Sequence, residues 1–242
     1  MSSASWLSQI LRGSLDLLFP PVCGGCNRVG FHWCPDCQEQ VQNVKEPVCR
    51  ICGLPGTHPG QCDSCKTRIP AYEMLRSWSI FEGPVRSAVL NLKYHRNMAL
   101  GDVLAHPLAE FVGKLDWQVD LVIPVPLGKE RARDLGYNQI GIVAKPVAEI
   151  RHWQYAPCGL IRQRETKSQV GLTAAERKAN VDGAFKADSE IVSGKRVLLM
   201  DDVATTGATI SACASALLQA DAKTVYALTL ARALPHHGIN IL

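Results

Sequence analysis

The segment Val197-Leu-Leu-Met-Asp-Asp-Val-Ala-Thr-Thr-Gly-Ala-Thr209 decides the fold of this chain. Its first four residues form the apolar run of a buried strand, and the carboxylates of Asp201 and Asp202 follow at the end of that strand. A turn of small and hydroxyl-bearing residues then opens a helix over 209–219. A buried strand that passes through a polar turn into a helix is typical of a parallel sheet in an α/β protein.

The residues on both sides of this segment continue the alternation of strands and helices. Apolar runs predict further buried strands, and helical spacing of apolar residues predicts helices between them. The predicted strands are 119–125, 195–200 and 224–230, and the predicted helices are 85–94, 100–112 and 139–149. We therefore expect a parallel sheet with helices on both faces, and a ligand site in the loops after residues 125 and 200.

The turn after the strand has the composition of a phosphate-binding loop. Backbone N–H groups at a helix N-terminus and threonine hydroxyls donate hydrogen bonds to phosphate oxygens. The two carboxylates repel a phosphate but accept hydrogen bonds from a vicinal diol, so a ligand with a 5′-phosphate and two ribose hydroxyls fits. The alternative is an ordinary capped helix beside a surface Asp pair. The candidate binding residues are Asp201, Asp202, Ala204, Thr205, Thr206, Gly207, Ala208 and Thr209.

Eight of the ten cysteines form four Cys-x-x-Cys pairs near the N-terminus. Two such pairs can direct four thiolates at one tetrahedral Zn²⁺ ion. A Gly and a His follow the first and the third Cys-x-x-Cys pairs at the same spacing. They are Gly30 and His32 after the first pair and Gly56 and His58 after the third, which indicates a duplicated unit. The spacing favours sequential pairing and leaves an interleaved one open. The expected ligands of two structural zinc sites are Cys23, Cys26, Cys34, Cys37, Cys49, Cys52, Cys62 and Cys65.

Disulfide bonds, an iron–sulfur cluster and a redox role are the alternatives to zinc binding for these cysteines. Disulfide bonds need an oxidising compartment, and residues 1–20 lack the features of a secretory signal, so we expect a cytoplasmic zinc protein. An iron–sulfur cluster or a redox role is the lesser alternative. Eight thiolates and two Zn²⁺ ions change the formal net charge of +4 to about 0, so any affinity for nucleic acid must come from a local patch. The remaining Cys158 and Cys213 are expected to be small core residues.

The composition excludes several classes of protein. Apolar residues make up 47% and charged residues 20% of the 242 residues, which excludes a disordered chain. No apolar run approaches the roughly 18 residues that a membrane span needs. A short amphipathic helix is expected over 1–22 because apolar residues recur there at helical spacing.

The cysteine pattern and the loop after residue 200 together resemble the ComF family of competence and DNA-utilisation proteins. These proteins join a double zinc ribbon to a domain similar to the type I phosphoribosyltransferases, whose loop for phosphoribosyl pyrophosphate (PRPP) resembles residues 197–209. One departure from the family pattern is Leu135, which stands where Arg is usual. Other matching stretches are Leu17–Cys23, Leu92–Tyr94, Ile123–Pro126, Gly136–Gln139 and Gln169–Phe185.

The resemblance implies a type I phosphoribosyltransferase-like parallel sheet over 71–242, preceded by a tandem zinc ribbon over 23–70. It implies that Asp201 and Asp202 bind the ribose of PRPP, that the loop binds the 5′-phosphate, and that Mg²⁺ accompanies the pyrophosphate. Candidates near the pyrophosphate, each equally compatible with a solvated surface residue, are Lys93, Pro126, Arg131, Arg133, Arg164, Lys167 and Arg177.

Two functions of different classes remain open at this point. The first is a role in DNA uptake with Mg²⁺·PRPP as a bound ligand, single-stranded DNA along the basic stretch 162–178, and DNA-uptake proteins as partners; that stretch is equally an ordinary solvated loop. The second is a phosphoribosyltransferase that acts on a small nitrogenous acceptor and releases pyrophosphate. Thr205 stands where purine-salvage relatives have an Asp general base, so no catalytic residue is assigned and enzymatic activity stays open, as does the oligomeric state.

Overall fold

The structure of the chain is a computed structural model that describes residues 20–56, 58–94, 97–164 and 183–234. The segment predicted over 1–22 therefore lies almost entirely outside the described residues. Within them, no helix is long and apolar enough to cross a bilayer. The elements in chain order are α1 (Pro35–Glu39), α2 (Asp63–Thr67), β1 (Met74–Ile80), α3 (Gly83–Tyr94), α4 (Ala99–Gly113), β2 (Leu121–Pro124), α5 (Lys129–Leu135), α6 (Gln139–Arg151), β3 (Gln154–Tyr155), β4 (Leu160–Arg162), β5 (Phe185–Ala187), α7 (Ser189–Val192), β6 (Arg196–Ala204), α8 (Ala208–Gln219) and β7 (Thr224–Arg232).

Five strands form one parallel sheet in the order β1-β7-β6-β2-β3, and β4 pairs with β5 in a separate antiparallel ribbon. β6 lies at the centre of the sheet, where it pairs with β2 from Val197 to Met200 and with β7 from Arg196 to Ala204. The three predicted strands are β2, β6 and β7. The parallel sheet with helices on both faces confirms the predicted fold class.

Alternate side chains of β6 face two different hydrophobic cores. Leu198 and Met200 pack with α3, α4 and α6 on one face, whereas Val197 and Leu199 pack with α8 on the other. This alternation follows from the two-residue period of a strand. Each core also contains cysteines of one quartet: Cys23, Cys34 and Cys37 in the first, and Cys49, Cys52 and Cys65 in the second. The cysteine-rich region is thus packed into the cores of the α/β domain.

The strand β1 was not predicted, because polar residues interrupt its apolar pattern. Its two serines are buried, and both form hydrogen bonds with the neighbouring strand β7. Ser77 Oγ lies 2.7 Å from Thr229 Oγ1, and Ser79 Oγ donates to the carbonyl of Leu230 at 2.8 Å. Paired hydroxyls are tolerated in a core, so a strand can be buried here without a continuous apolar sequence.

The outer edge of β1 is covered by the cysteine-rich region. The N–H of Leu75 donates to the carbonyl of Ile51 at 2.7 Å, and the N–H of Ile80 donates to the carbonyl of Gln42 at 2.7 Å. Asn43 also forms an antiparallel bridge with Ser79. Because an uncovered edge strand exposes unpaired backbone groups, these contacts close the sheet on this side.

An ion pair joins the beginnings of β2 and β6. Arg196 Nη2 lies 2.6 Å from Asp120 Oδ1, and the Nε and backbone N–H groups of Arg196 both donate to Asp120 Oδ2 at 2.9 Å. These hydrogen bonds from Arg196 lower the pKa of Asp120 to about 2. The carboxylate is therefore ionised, and bonded, over the physiological pH range.

Asp120→Asn should lower the free energy of unfolding at neutral pH, because an amide replaces the charged acceptor. The carboxylate stabilises the fold above its unfolded pKa of about 3.9, and this contribution is lost as the pH falls through about 2. Urea unfolding at several pH values should therefore show the wild-type protein and the variant converging in acid. Glu110→Gln removes the exposed pair with Lys114 and serves as the control, with little effect at any pH. A difference between Asp120→Asn and wild type that stays constant with pH would contradict this account.

Candidate functional site

The carboxyl ends of β6 and β2 lie side by side, and the loops that leave them build the candidate site. The register places Pro124 of β2 opposite Met200 of β6. From there β6 continues through Asp201 and Asp202 towards α8, and β2 continues through α5 into α6. Ligands of parallel α/β sheets bind at this edge of the sheet, where neighbouring loops diverge.

Asp202 lies in a buried polar cluster at this edge. Lys93 Nζ, from α3, lies 3.0 Å from Asp202 Oδ2, and Gln139 Nε2, from α6, donates to the same oxygen at 3.0 Å. The side chains of Lys93 and Asp202 are each only 11% exposed. A carboxylate at this depth requires a cation and hydrogen-bond donors, which α3 and α6 supply. We refer to Asp202, Lys93 and Gln139 as the Asp202 cluster.

Gln139 is a site residue that was not predicted, although it ends the family-like run Gly136–Gln139. Asn138 places it by capping α6, where its side chain accepts from the N–H groups of Ile140 and Gly141. Asn138 Nδ2 also donates to the carbonyl of Val125 at 2.9 Å, which ties the helix to the end of β2. Gln139 Oε1 is buried and has no hydrogen-bond partner among the described residues. The Asp202 cluster therefore contains an acceptor that a ligand hydroxyl or a water molecule could satisfy.

Asp201 lies on the other face of β6. Successive side chains of a strand alternate between faces, so Asp201 faces the side of α8. Its charge adds to the effect of burial in raising the pKa of Cys213, a residue of α8. Asp201 Oδ1 also accepts the N–H of Asp202 at 2.8 Å. The two carboxylates predicted to bind one diol thus leave the strand on different faces, and their joint role stays a prediction.

The turn between β6 and α8 holds the predicted phosphate loop. Gly207 adopts a φ of 76°, in the left-handed region that favours glycine, and a Cβ there would lie 3.0 Å from Tyr72 Oη. Thr206 Oγ1 accepts the N–H of Ala208 at 3.3 Å. Thr206 thus bonds the first N–H group of α8, while Gly207, the N-cap residue, has no side chain that could bond the next ones. The N–H groups that follow Ala208 in the first turn can donate to an anion.

The predicted pyrophosphate residues are dispersed. Pro126 follows β2 by two residues, and Arg131 and Arg133 belong to α5. Of these candidates, Lys93 lies in the Asp202 cluster. Arg133 and Arg164 are exposed, and Lys167 and Arg177 lie outside the described residues. A contact between any of these residues and pyrophosphate stays a prediction.

The eight N-terminal cysteines form two quartets, each with its four sulfur atoms within 4.8 Å of one another. Sulfur separations are 3.6 Å for Cys23–Cys37 and 3.7 Å for Cys52–Cys62. Zn–S bonds of about 2.3 Å place the corners of a tetrahedron roughly 3.8 Å apart, so both quartets fit Zn²⁺. The pairing is sequential, and the interleaved alternative is excluded. The first zinc site is Cys23, Cys26, Cys34 and Cys37, and the second is Cys49, Cys52, Cys62 and Cys65.

Backbone N–H groups stabilise the thiolate form of one cysteine in each quartet. Cys34 N–H donates to Cys23 Sγ at 3.3 Å, and Cys62 N–H donates to Cys49 Sγ at 3.3 Å. Burial opposes ionisation of Cys23 and Cys49, but the backbone N–H groups around each sulfur outweigh it and lower the pKa of both to about 6. The thiolate is the form that binds metal, so ligation near neutral pH is favoured.

The two cysteines outside the quartets differ in burial. Cys213 is buried in the core under α8, as predicted. The prediction for Cys158 was wrong, because the turn between β3 and β4 leaves this residue exposed.

Comparison with known proteins identifies the family. Residues 14–66 match the double zinc ribbon domain, and residues 92–236 match the phosphoribosyl transferase domain. The DNA utilization protein YhgH of Salmonella typhimurium is 32% identical over 231 residues, which cover 90% of this chain and 100% of that protein. The chain belongs to the ComF family. Another ComF relative, competence protein F of Haemophilus influenzae, is 27% identical over 233 residues, which cover 92% of this chain and 95% of that protein.

Solved structures resemble this ComF protein over part of its chain. A glutamine PRPP amidotransferase from Bacillus subtilis, complexed with ADP and GMP, aligns with a TM-score of 0.40 and 23% identity. The match covers 55% of this chain and 26% of the amidotransferase chain.

The ComF chain should hold two zinc ions per molecule. Cys26→Ser removes one thiolate of the first zinc site and should reduce the content to about one ion, because a structural site needs all four ligands. Cys158→Ser is the matched control and should retain both ions, since Cys158 belongs to neither quartet. Inductively coupled plasma mass spectrometry of the purified proteins measures the metal content. Two ions in Cys26→Ser, or fewer than two in Cys158→Ser, would contradict the ligand assignment.

Lys93→Met should lower the free energy of unfolding by about 3–5 kcal/mol, because it removes the ammonium group that pairs with the buried Asp202 carboxylate. The same change should have a smaller effect in an Asp202→Asn background, where no charge remains to be compensated. Urea unfolding of the four proteins gives the coupling free energy directly. Lys114→Met, at an exposed ion pair, is the control and should change stability by no more than about 0.5 kcal/mol. Additive effects at Lys93 and Asp202 would show that the pair is not coupled.

Proposed function

We propose that this protein binds Mg²⁺·PRPP at the carboxyl edge of β6 and acts on single-stranded DNA in the cytoplasm. The observation that carries the proposal is the Asp202 cluster at one end of a short loop whose other end is the N-terminus of α8. Buried acceptors at one end and helix N–H groups at the other support binding of a ligand that has both hydroxyls and a phosphate. The names of the relatives, DNA utilization protein and competence protein, support the part that concerns DNA.

The chemistry of the loop fits each part of PRPP. The N–H groups of α8 and the hydroxyls of Thr206 and Thr209 would bind the 5′-phosphate. The carboxylate of Asp202, with Gln139 Oε1, would accept hydrogen bonds from the ribose hydroxyls. Asp201 would join them only where its carboxylate reaches around the end of β6. Mg²⁺ would offset the charge of the pyrophosphate, assisted by the basic residues predicted near the loop after β2.

One feature of the first zinc site supports a contact with unpaired nucleic acid. The ring of Phe31 is exposed there, beside the bridge between Val22 and Val29. Aromatic rings stack on unpaired bases, and this stacking is tolerant of sequence. Thiolate ligands persist in a reducing compartment, which supports a cytoplasmic site of action, and proteins of DNA uptake are the expected partners.

Thr206→Glu tests the ligand site. It adds a carboxylate at an exposed position of the loop, where repulsion of the 5′-phosphate should weaken Mg²⁺·PRPP binding by about 100-fold or more. Ser189→Glu is the matched control, because it makes the same charge change at an exposed residue that precedes β6. Isothermal titration calorimetry measures the affinity. A wild-type protein that does not bind Mg²⁺·PRPP, or a Thr206→Glu protein that binds it equally well, would contradict the site.

Phosphorus NMR separates DNA handling from phosphoribosyl transfer. The match of residues 92–236 to the phosphoribosyl transferase domain favours an active enzyme as the second candidate. Pyrophosphate that appears only with one nitrogenous acceptor would establish transfer. Intact PRPP, together with DNA affinity that changes when PRPP is added, would establish ligand-dependent DNA binding.

A further inference from the structure

We infer that the second zinc site positions the predicted phosphate loop, through Arg232 and Tyr72, so that zinc at this site sets how tightly the loop binds a phosphate ester. The inference rests on the proposed function for the identity of the ligand. It goes beyond that function by giving the two zinc sites different roles, although their sequences resemble each other.

Arg232 joins the end of β7 to the second zinc site. Its side chain is buried, with the residue only 3% exposed, and Nη1 donates to the carbonyl of Cys52 at 3.0 Å while Nη2 lies 3.8 Å from Cys52 Sγ. Its Nε has no hydrogen-bond partner among the described residues, and none of the ion pairs that these residues form includes Arg232.

A buried guanidinium without a carboxylate needs another source of negative charge. Four thiolates around one Zn²⁺ ion carry a net charge of about −2, and Cys52 places that charge against Arg232. The attraction also explains why burial of so polar a side chain is tolerated at the end of β7. Arg232 is thus an outer-shell partner of the second zinc site, and zinc keeps the four thiolates that compensate it in one place.

Arg232 and Tyr72 also lie next to the predicted phosphate loop. Arg232 pairs in register with Ala204, the last residue of β6, and the N–H of Ala233 donates to the carbonyl of Ala204 at 3.0 Å. Tyr72 packs in the core that contains Cys49, Cys52 and Cys65, and its Oη lies 3.0 Å from the position that a Cβ on Gly207 would take. One end of the loop therefore contacts Arg232, which bonds Cys52, and Gly207 lies against Tyr72, which shares a core with the second zinc site.

A third contact joins this region to the start of α8. The N–H of Ala71 donates to Ser211 Oγ at 3.2 Å. The N–H of Leu75, four residues further along the chain, is bonded to Ile51 of the second zinc site. A shift of the second zinc site would therefore move the helix whose N-terminus is proposed to bind the phosphate.

The first zinc site has different contacts. Its buried cysteines belong to the core on the opposite face of the sheet from α8. Asn91 of α3 donates to the carbonyl of Gly24 at 2.7 Å, and the arginine beside this site, Arg28, is exposed and pairs with Asp36. Arg28 therefore offers a matched control for Arg232: both arginines adjoin a zinc site, but only Arg232 also adjoins the phosphate loop.

Arg232→Met tests the inference with zinc-loaded, full-length protein. Loss of an outer-shell partner weakens metal binding by about 10–100-fold, so zinc should leave the second site faster by that order in a colorimetric chelator assay. With both sites loaded, Mg²⁺·PRPP affinity should fall by about tenfold in calorimetry. Arg28→Met should alter neither quantity, and Arg232→Lys should restore part of both because it returns the positive charge.

The wild-type protein provides a second, independent measurement. If zinc and PRPP are coupled, Mg²⁺·PRPP must raise the affinity of the second site for zinc by the same free energy that zinc contributes to PRPP binding. We expect the release of one of the two ions to become slower when Mg²⁺·PRPP is bound. Native mass spectrometry during chelation counts the ions that remain. This measurement needs no substitution, so it stands even where Arg232→Met does not fold.

The outcomes that would overturn the inference are distinct from a failure of the proposed function. Zinc release from Arg232→Met at the wild-type rate would remove Arg232 from the second site. Faster release with unchanged PRPP affinity, or equal protection of both ions by PRPP, would remove the coupling. A wild-type protein that binds no PRPP would defeat the proposed function and the coupling, while the comparison of Arg232→Met with Arg28→Met would still decide the role of Arg232 at the metal.

Discussion

The negative charge of Asp202 is buried near the end of the central strand, where residues of two neighbouring helices stabilise it. Lys93 and Gln139 both bond the same carboxylate oxygen, so α3 and α6 must approach β6 from the same face. Asn138 then holds the start of α6 against the end of β2. The bonds of Asp202 and Asn138 together join two helices to the ends of two strands, at the edge where ligands of this fold class bind.

The two zinc sites stabilise a region that is too small to form a large hydrophobic core of its own. A region of about fifty residues with only short helices would be marginal as a separate domain. Here each quartet of cysteines packs into one of the two cores of the sheet, so the metal sites and the α/β domain stabilise each other. The same packing gives the similar repeats different neighbours: α3 and α4 adjoin the first zinc site, and Arg232 and Tyr72 adjoin the second.

The features that could be predicted are contiguous in sequence. The strand, loop and helix around Asp201 and Asp202, and the two quartets, depend on spacing within a few dozen residues. The residues that were missed act across long separations: Arg232 and Cys52 are 180 residues apart, and Gln139 and Asp202 are 63 apart. The strand β1 was missed for another reason, since Ser77 and Ser79 are buried through hydroxyl pairing that no apolar pattern reveals. The separation of Asp201 from Asp202 was predictable, because neighbouring side chains of a strand such as β6 point to opposite faces.

The backbone hydrogen bonds between the cysteine-rich region and β1 make the covering of this edge strand dependent on zinc. Ile51 and Gln42 occupy the N–H groups of Leu75 and Ile80, and Asn43 bridges to Ser79, so the free side of the sheet is hidden by a segment whose shape depends on zinc. When that segment loses its metal and detaches, a seven-residue parallel strand with buried aromatic and aliphatic side chains presents open donors and acceptors to solvent. Strand addition by a second molecule then becomes possible, so metal-depleted protein is expected to accumulate as intermolecular aggregates and not as isolated unfolded chains.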